Sequence, residues 1–218
     1  MTASKSMANV DSFTALRQFA RKRTQAERCE MCGLEVSPDH QHLIDLETRR
    51  LICACEACAI LFGGQSSLKF KRVPRRVRWL GDFRLTDGQW DSLMIPIEMV
   101  FIFRNSRMGK MLAFYPSPAG AIESLLSLDT WSEIERDNPG LSDMEPDVEA
   151  LLVNRVGAQR GVKPEFFAVP IDECYKLAGL IRMYWRGLSG GTEVWREVGT
   201  FFEELKGKAG ALAEGQNA

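Results

Sequence analysis

The sequence predicts an α+β fold in which a small four-cysteine metal-ribbon module packs on a larger domain of antiparallel sheet and helices. Five of the six cysteines lie between residues 29 and 58, and the later chain mixes hairpin-like apolar runs with helical periods. Hydrophobic residues make up 45% of the chain and charged residues 26%, which is the balance of a globular protein that buries a core. The predicted organisation is an N-terminal basic helix (1–26), a metal-binding module (27–68), an α+β domain (69–208) and a disordered tail (209–218).

The segments on either side of the cysteines carry basic residues. Residues 11–23 show apolar residues at helical spacing and end in a basic run, so they are predicted to form a short helix. Residues 68–80 alternate basic and apolar side chains, which predicts an edge strand interrupted at Pro74. Thr86 is expected to cap a short helix that begins at the next residue.

Four apolar runs predict the sheet of the larger domain. Residues 97–105 and 110–117 are expected to form a hairpin whose turn contains Gly109. Residues 148–156 and 166–170 are predicted as two further strands, and a helix is the competing interpretation of the first. The first run is apolar at nearly every position, so both of its faces are expected to be buried.

Three segments of the larger domain are predicted as helices. Residues 127–140, with Asp129 as a candidate cap, follow a Pro/Gly loop at 115–126. The strongest helical pattern covers residues 171–187, where apolar residues recur at intervals of three and four. A second amphipathic helix is predicted over residues 192–208.

The cysteines are the strongest chemical signal in the chain. Cys29 and Cys32 form a C-x2-C pair followed by Gly33, and Cys55 and Cys58 repeat the same spacing after 22 intervening residues. Two thiolates two residues apart in a tight turn can bind one ion, and two such pairs complete a tetrahedron. We therefore predict a four-thiolate metal site formed by these four cysteines.

Three further potential ligands lie within the same segment: Cys53 and the two histidines of the chain, His40 and His42. Cys53 is an alternate for Cys55, which is preferred because it repeats the spacing of the first pair. Alternation along an incoming strand would put Cys53 and Cys55 on one face, so Cys53 is expected near the metal without binding it. A small buried apolar residue, an exchangeable ligand and a redox partner are its three interpretations. The histidines are alternate nitrogen ligands or hydrogen-bonding groups of the loop.

The identity of the metal is predicted from the residues that follow each pair. Zinc and iron both accept four thiolates, and zinc would act as a folding staple for a module too small to fold alone. Iron would make a one-electron carrier of rubredoxin type, in which glycine typically follows both pairs. Here Ala59 follows the second pair, so zinc is the predicted metal, with iron and an iron–sulfur cluster as alternatives.

Charge is distributed unevenly along the chain. The net charge is -1, but residues 1–80 carry 14 Lys/Arg against 8 Asp/Glu, and the rest carries 14 against 21. The densest cationic segment, called the basic strip below, comprises Lys69, Lys71, Arg72, Arg75, Arg76 and Arg78. It is predicted as a docking surface for a protein partner, with a solvated strand face and nucleic-acid contact as alternatives.

The sequence shows no recognisable catalytic constellation. Cys174 lies on the strongest predicted helix with no histidine in the C-terminal half to activate it, so it is expected in the core. Apolar runs stay below the roughly 18 residues that span a membrane, and the first residues lack the pattern of a secretory signal. We therefore expect a cytoplasmic protein that is not an enzyme and keeps its cysteines reduced.

The run CEMCGLEVSPDHQHLIDLETRRLICACEACAILF resembles the N-terminal part of an uncharacterised, largely actinobacterial family that contains a zinc ribbon. The segments YPSPAGAIESLL, PDVEALLVNR, PIDECYKLAGLIRMYWRG and SGGTEVW are similar to later parts of the same family, so the resemblance covers roughly residues 27–205. Some members are associated with gene clusters for nickel–iron hydrogenases. The resemblance thus implies an accessory or assembly protein of a metalloenzyme system and assigns no catalytic residues.

Together these observations predict a non-enzymatic, metal-stapled accessory protein that binds a protein partner. A hydrogenase subunit or maturation factor is the partner that the resemblance implies. A rubredoxin-like electron-transfer protein and a nucleic-acid-binding regulator are the two alternative functions.

Overall fold

The computed structural model describes residues 26–64, 69–124 and 131–215, and the predicted helix at 11–23 lies outside these ranges. The helices are α1 (Glu56–Phe62), α2 (Asp87–Ser92), α3 (Trp131–Asp137), α4 (Ile171–Tyr184) and α5 (Gly191–Gly215), with 3-10 turns at Pro139–Asp143 and Ala158–Arg160. The strands are β1 (Gln41–Asp45), β2 (Leu51–Ala54), β3 (Phe70–Arg72), β4 (Arg78–Trp79), β5 (Met99–Asn105), β6 (Lys110–Ser117), β7 (Gly120–Glu123), β8 (Glu149–Asn154) and β9 (Glu165–Pro170). The mixture of antiparallel sheets and helices confirms the predicted α+β class.

A six-stranded sheet forms the larger domain, in the order β4-β9-β8-β5-β6-β7, and every neighbouring pair is antiparallel. The predicted hairpin of β5 and β6 is present, and Gly109 in its turn has a positive φ of 63°. The predicted loop at 115–126 is wrong over residues 120–123, which form β7. Ser117 pairs with Gly120, so Pro118 and Ala119 make a tight turn that reverses the chain at once.

Side chains of β5 show why this run is apolar at nearly every position. Phe101 and Phe103 belong to a core cluster that includes apolar residues of α4 and α5. Val100 and Ile102 point to the opposite face and belong to a second cluster that includes residues of α2 and α3. Both faces of the sheet are therefore covered by helices, and the strand does not alternate between apolar and polar side chains.

The helices of the larger domain differ from the predictions mainly at their ends. Thr86 caps α2 in a capping box, since its hydroxyl accepts a hydrogen bond from the Gln89 N–H at 3.2 Å. The helix predicted over 127–140 begins at Trp131 within the described residues and is followed by a 3-10 turn; Asp129 lies outside them. The last helix runs to Gly215, so residues 209–215 continue α5 where a disordered tail was predicted.

The cysteine module contains a three-stranded sheet in the order β2-β1-β3. Along the chain, α1 comes directly after β2. Strand β3 pairs with β1 although it lies beyond the predicted module boundary at residue 68, so the module's sheet extends past that boundary. The sequence analysis predicted no helix in this module, whereas α1 begins directly after Cys55 and includes Cys58.

The module packs on the larger domain through β1 and the chain that follows β3. Ile44 of β1, Val73 and Val77 belong to the same buried cluster as Phe101 and the apolar residues of α4. The two sheets thus share one hydrophobic core, and the cysteine site is anchored to a large folded unit. Among the described residues, no helix is both long and apolar enough to cross a membrane.

Candidate metal centre

The first cysteine pair lies on a tight turn. The Gly33 N–H donates to the Cys29 carbonyl at 2.8 Å, and the Cys29 N–H donates to the Leu34 carbonyl at 2.7 Å. Gly33 has a φ of +77°, a left-handed conformation that glycine adopts without steric cost. The turn predicted from the C-x2-C-Gly pattern is therefore present, and it folds Cys32 back beside Cys29.

The second pair lies at the start of a helix. Cys55 is the N-cap of α1 with an extended backbone, and its carbonyl accepts a hydrogen bond from the Ala59 N–H at 2.9 Å. Cys58 lies three residues later in the first turn of α1. Residues three apart on a helix lie on the same side, so both thiols face the first pair. The module therefore combines one turn with one helix start.

The four predicted ligands come together at one point. The Sγ atoms of Cys29, Cys32, Cys55 and Cys58 all lie within 4.8 Å of one another. The Cys32 and Cys55 sulfurs are 3.8 Å apart. A tetrahedral ion with metal–sulfur bonds of about 2.3 Å places its sulfurs roughly 3.8 Å apart, which matches this separation. The group can thus hold a metal ion, and the spacing of the sulfurs does not distinguish zinc from iron.

The environment of the four sulfurs sets how readily they lose protons. Burial raises the pKa of Cys29, but hydrogen bonds from the backbone N–H groups of Cys55, Cys32 and Met31 lower it. The lowering effect is the larger, and the pKa falls to about 6. Burial and the neighbouring thiols raise the pKa of Cys58 to about 12. Without a cation, Cys29 therefore loses its proton more readily than Cys58. A bound cation would favour all four thiolates and release protons on binding.

Cys53 does not join these four sulfurs. Strand β2 ends at Ala54, so Cys55 belongs to the helix start and does not continue the alternation of the strand. The expectation that Cys53 and Cys55 share a strand face is therefore wrong. Ile52 and Ala54 pack in the buried cluster of the cysteine site, whereas Cys53 points to the other face of β2, directly across from His42.

The two histidines form a separate group with Cys53. One ring nitrogen of His40, one ring nitrogen of His42 and the Cys53 Sγ lie within 4.8 Å of one another. The Nδ1 atom of His42 lies 2.8 Å from a carboxylate oxygen of Asp172, at the start of α4. The sequence suggested these three residues as alternate ligands of one site. The structure places them together beside α4, in a group that does not include the four predicted cysteine ligands.

The basic strip is largely engaged within the molecule. Arg76 donates two hydrogen bonds of 2.7 Å to the Glu149 carboxylate, whose side chain is fully buried. Arg72 pairs with Glu56 at 2.7 Å. These ion pairs connect the strip to β8 and to α1, so both arginines contribute to packing between elements.

The other members of the strip are partly engaged. Arg75 pairs with the exposed Asp39 at 3.0 Å, and Lys71 pairs with Glu145 at 3.1 Å. Lys69 is exposed and lies over the Phe70 ring, and Arg78 is part of β4 with two guanidinium nitrogens buried. Four of the six cations are therefore paired with acidic side chains, so the strip presents less free charge than the sequence indicates.

Helix α4 carries two further residues that bear on the predicted sites, Cys174 and Asp172. Cys174 is fully buried in α4, and burial raises its pKa well above the usual value, so it is the core thiol that the sequence predicts. Asp172 was not predicted as a site residue. It lies 130 residues from His42, and no local pattern in the sequence connects the two.

Comparison with known protein families yields a match. A family described as "Family of unknown function (DUF5947)" matches residues 28–209. This range includes all residues of both ligand groups and the basic strip. No curated protein and no solved structure matches the sequence.

Proposed function

The chain belongs to the family of unknown function DUF5947, and we propose that it is a non-enzymatic accessory protein whose four-cysteine site holds a structural zinc ion. The convergence of four sulfurs within 4.8 Å, at a spacing that suits a tetrahedral ion, is the observation that carries this proposal. A closed shell of four protein ligands leaves no position for a substrate, which is the arrangement of structural zinc sites.

The small core of the module supports the role of a staple. The buried cluster around the site contains Leu43, Ile52, Ala54 and Ala59 together with three of the cysteines. So few apolar residues contribute little burial, and modules of this size commonly require a metal to fold. The ion would connect the turn at Cys29 to the start of α1, and thereby fix the shape of the surface around them.

The helix start at the second pair favours zinc over iron. Rubredoxin-type sites use a glycine turn after each pair, whereas here Ala59 continues α1 directly. One observation favours iron: Cys32 is exposed, which would offer electrons a short route to a partner. Metal content and a visible spectrum distinguish the two. We expect a colourless protein with zinc in the four-cysteine site, and a red protein that bleaches on reduction would contradict the proposal.

We place the partner-binding surface on α1 beside the metal site. Ile60, Leu61 and Phe62 are 60%, 75% and 41% exposed, so consecutive apolar side chains face solvent at this end of the module. A protein partner with an apolar docking surface would cover them. The resemblance described above implies a nickel–iron hydrogenase subunit or maturation factor as that partner.

This partner assignment is testable with purified components. Leu61→Glu should weaken binding of a purified hydrogenase large subunit about tenfold or more, because a charge would be buried at the interface. The matched control is Met183→Glu, since Met183 on α4 is similarly exposed at 61%. Equal binding by the wild-type protein and both variants, measured by titration calorimetry, would exclude this surface. Absence of binding by the wild-type protein would exclude this partner.

A nucleic-acid-binding role receives less support from the structure. Four of the six basic-strip cations pair with acidic groups, so few remain to contact phosphates. Binding to phosphates depends steeply on salt concentration because counterions are released. A steep salt dependence in a binding assay with duplex and single-stranded DNA would favour the nucleic-acid role over the proposed one.

A further inference from the structure

A second group of potential ligands lies on the side of the β1–β2 hairpin that contacts α4. It consists of His40, His42 and Cys53, and the three ligand atoms lie within 4.8 Å of one another. His42 and Cys53 are direct partners in the antiparallel ladder, so their side chains leave the same face of the hairpin. The His40 and His42 rings meet edge to face with their centroids 4.6 Å apart. The backbone register therefore brings two imidazoles and one thiol together.

The hydrogen bonds of the histidines determine which ring nitrogens carry lone pairs. The Nδ1 atom of His40 lies 2.8 Å from the Ser37 carbonyl, which can only accept, so Nδ1 must be the donor. The Nδ1 atom of His42 lies 2.8 Å from the Asp172 carboxylate, which also accepts. In a neutral ring the proton is then on Nδ1, and the lone pair is on Nε2. In both neutral rings Nε2 is thus the nitrogen that can bind a metal.

The Nε2 atom of His40 is the observation that points to a ligand. The side chain of His40 is 6% exposed, and its Nε2 atom is buried without a hydrogen-bond partner among the residues that the structure describes. A buried polar atom without a partner destabilises the folded state, because it has lost its hydrogen bonds to water. The same group of potential ligands contains a second imidazole and a thiol, both of which bind metals. A bound cation would satisfy all three groups at once.

We propose that His40, His42 and Cys53 form a second metal site, which binds a divalent transition-metal ion of the zinc class through two Nε2 atoms and one thiolate. Two imidazoles and one sulfur suit borderline-soft cations better than magnesium or calcium. Three protein ligands leave a fourth position open, which distinguishes this site from the closed four-cysteine group. The metal here would therefore exchange more readily and could accept a water molecule or a ligand from a partner.

Asp172 acts as a positioning residue of this second site. Metal-binding histidines usually donate their other ring N–H to a carboxylate or a carbonyl, which fixes the ring and its tautomer. Asp172 supplies that carboxylate to His42, and the Ser37 carbonyl does the same for His40. Because Asp172 starts α4, metal binding would also strengthen the contact between the module and the larger domain.

The second site uses none of the four cysteines of the first, so it does not depend on whether zinc or iron is bound there. Ile52 and Ala54 face the four-cysteine group, whereas Cys53 faces away from it. The competing explanation is that His42 and Asp172 form only an ion pair that docks the module. In that case zinc would not affect the Nε2 atoms, and an experiment on the histidine nitrogens distinguishes the two explanations.

Long-range nitrogen–proton NMR spectra of the full-length protein provide this experiment. The chain has only two histidines, so four ring nitrogens are observed, and one His40→Ala variant assigns them. We expect protonated Nδ1 atoms and Nε2 resonances that shift on addition of zinc chloride to protein whose four-cysteine site is already loaded. Protonated Nε2 atoms, or Nε2 resonances that zinc leaves unchanged, would overturn the proposal.

Zinc stoichiometry tests the same site without reliance on the NMR spectrum. Equilibrium dialysis of the full-length protein should give two zinc ions per chain in the wild type and in Cys174→Ser, a control thiol outside both groups. We expect one ion in His40→Ala and Cys53→Ser, with unchanged circular dichroism. Asp172→Asn should bind the second ion about tenfold more weakly. A wild type that binds no more zinc than His40→Ala and Cys53→Ser would overturn the proposal, and this difference does not depend on which metal the first site holds.

Discussion

The six-stranded sheet and the cysteine module use different means to bury their strands. Helices cover both faces of the larger sheet, and each face belongs to a separate cluster of large apolar side chains. In the module, the three-stranded sheet shares a cluster of seven buried residues with the cysteine site, and its largest apolar members are Leu43 and Ile52. The larger domain can therefore be stabilised by apolar burial alone, whereas the module has little apolar surface of its own to bury.

This difference indicates where each part of the molecule obtains its stability. The larger domain should unfold cooperatively, and its free energy of unfolding should be the same with and without bound metal. The module should depend on its ion and on the contacts that tie it to the larger domain, such as Ile44 in the shared core and the ion pair of Arg76 with Glu149.

Loss of one of the four thiolates should have the largest effect, and it should be confined to the module. Cys58→Ser should remove the ion and unfold much of residues 27–64, because metal binding contributes on the order of 10 kcal/mol in small zinc modules. Cys53→Ser should leave this segment folded, since Cys53 faces away from the four-cysteine group. Amide hydrogen exchange of the two variants measures the effect. Equal loss of protection in both would show that the ligand assignment is wrong.

A cavity in the larger domain should produce a global effect that is independent of metal. Leu152 in β8 is fully buried, and Leu152→Ala should lower the free energy of unfolding by about 3 kcal/mol. Urea unfolding with zinc and after treatment with a chelator gives the comparison. The loss should be similar under both conditions. A loss that appears only with zinc bound would mean that the larger domain also depends on the ion.

The ion pair between Arg76 and Glu149 should matter more than a neighbouring exposed pair. Arg76→Ala leaves a fully buried carboxylate without its charged partner, and should cost about 2 kcal/mol because Arg76 itself is half exposed. Arg75→Ala is the matched control, since its partner Asp39 is 89% exposed, and the cost should stay below about 0.5 kcal/mol. Similar losses for the two variants in urea unfolding would contradict a special role for the buried carboxylate.

The close packing at the end of α1 should give the smallest of the four effects. A methyl group at Gly63 would lie 2.6 Å from the Ala59 carbonyl oxygen and 2.7 Å from Leu43 Cδ2. Gly63→Ala should therefore displace α1 from β1 and cost about 1.5 kcal/mol of module stability. At Gly64 the nearest atom to such a methyl group lies 3.9 Å away, so Gly64→Ala is the control. Hydrogen exchange in β1 should increase in the first variant only.

The sequence allowed prediction of the parts of the fold that have a strong local pattern. Strands β5, β6, β8 and β9 and helices α4 and α5 carry long apolar or helical patterns, and all are present. Helix α1 was missed because its seven residues are nearly all apolar and have no helical period, and the helix starts at a cysteine. Strand β7 was missed because four residues after a Pro/Gly turn give little pattern.

The candidate site was predictable only where its residues are close in sequence. The spacing of the two pairs identified Cys29, Cys32, Cys55 and Cys58, which the structure brings together. The separate group of His40, His42 and Cys53 depends on strand register, which no local pattern determines. The partners that engage the basic strip, such as Glu149 for Arg76, lie too far away in sequence to be inferred.

The central claim is that a metal ion in the four-cysteine group holds the module together. Removal of metal from the full-length protein by a chelator, followed by amide hydrogen exchange, tests it most directly. We expect amides of residues 29–58 to lose protection while those of β8 and β9 keep theirs, and zinc to restore the protection. A module that stays protected after complete removal of metal would show that the four cysteines are not a staple, and would contradict the account.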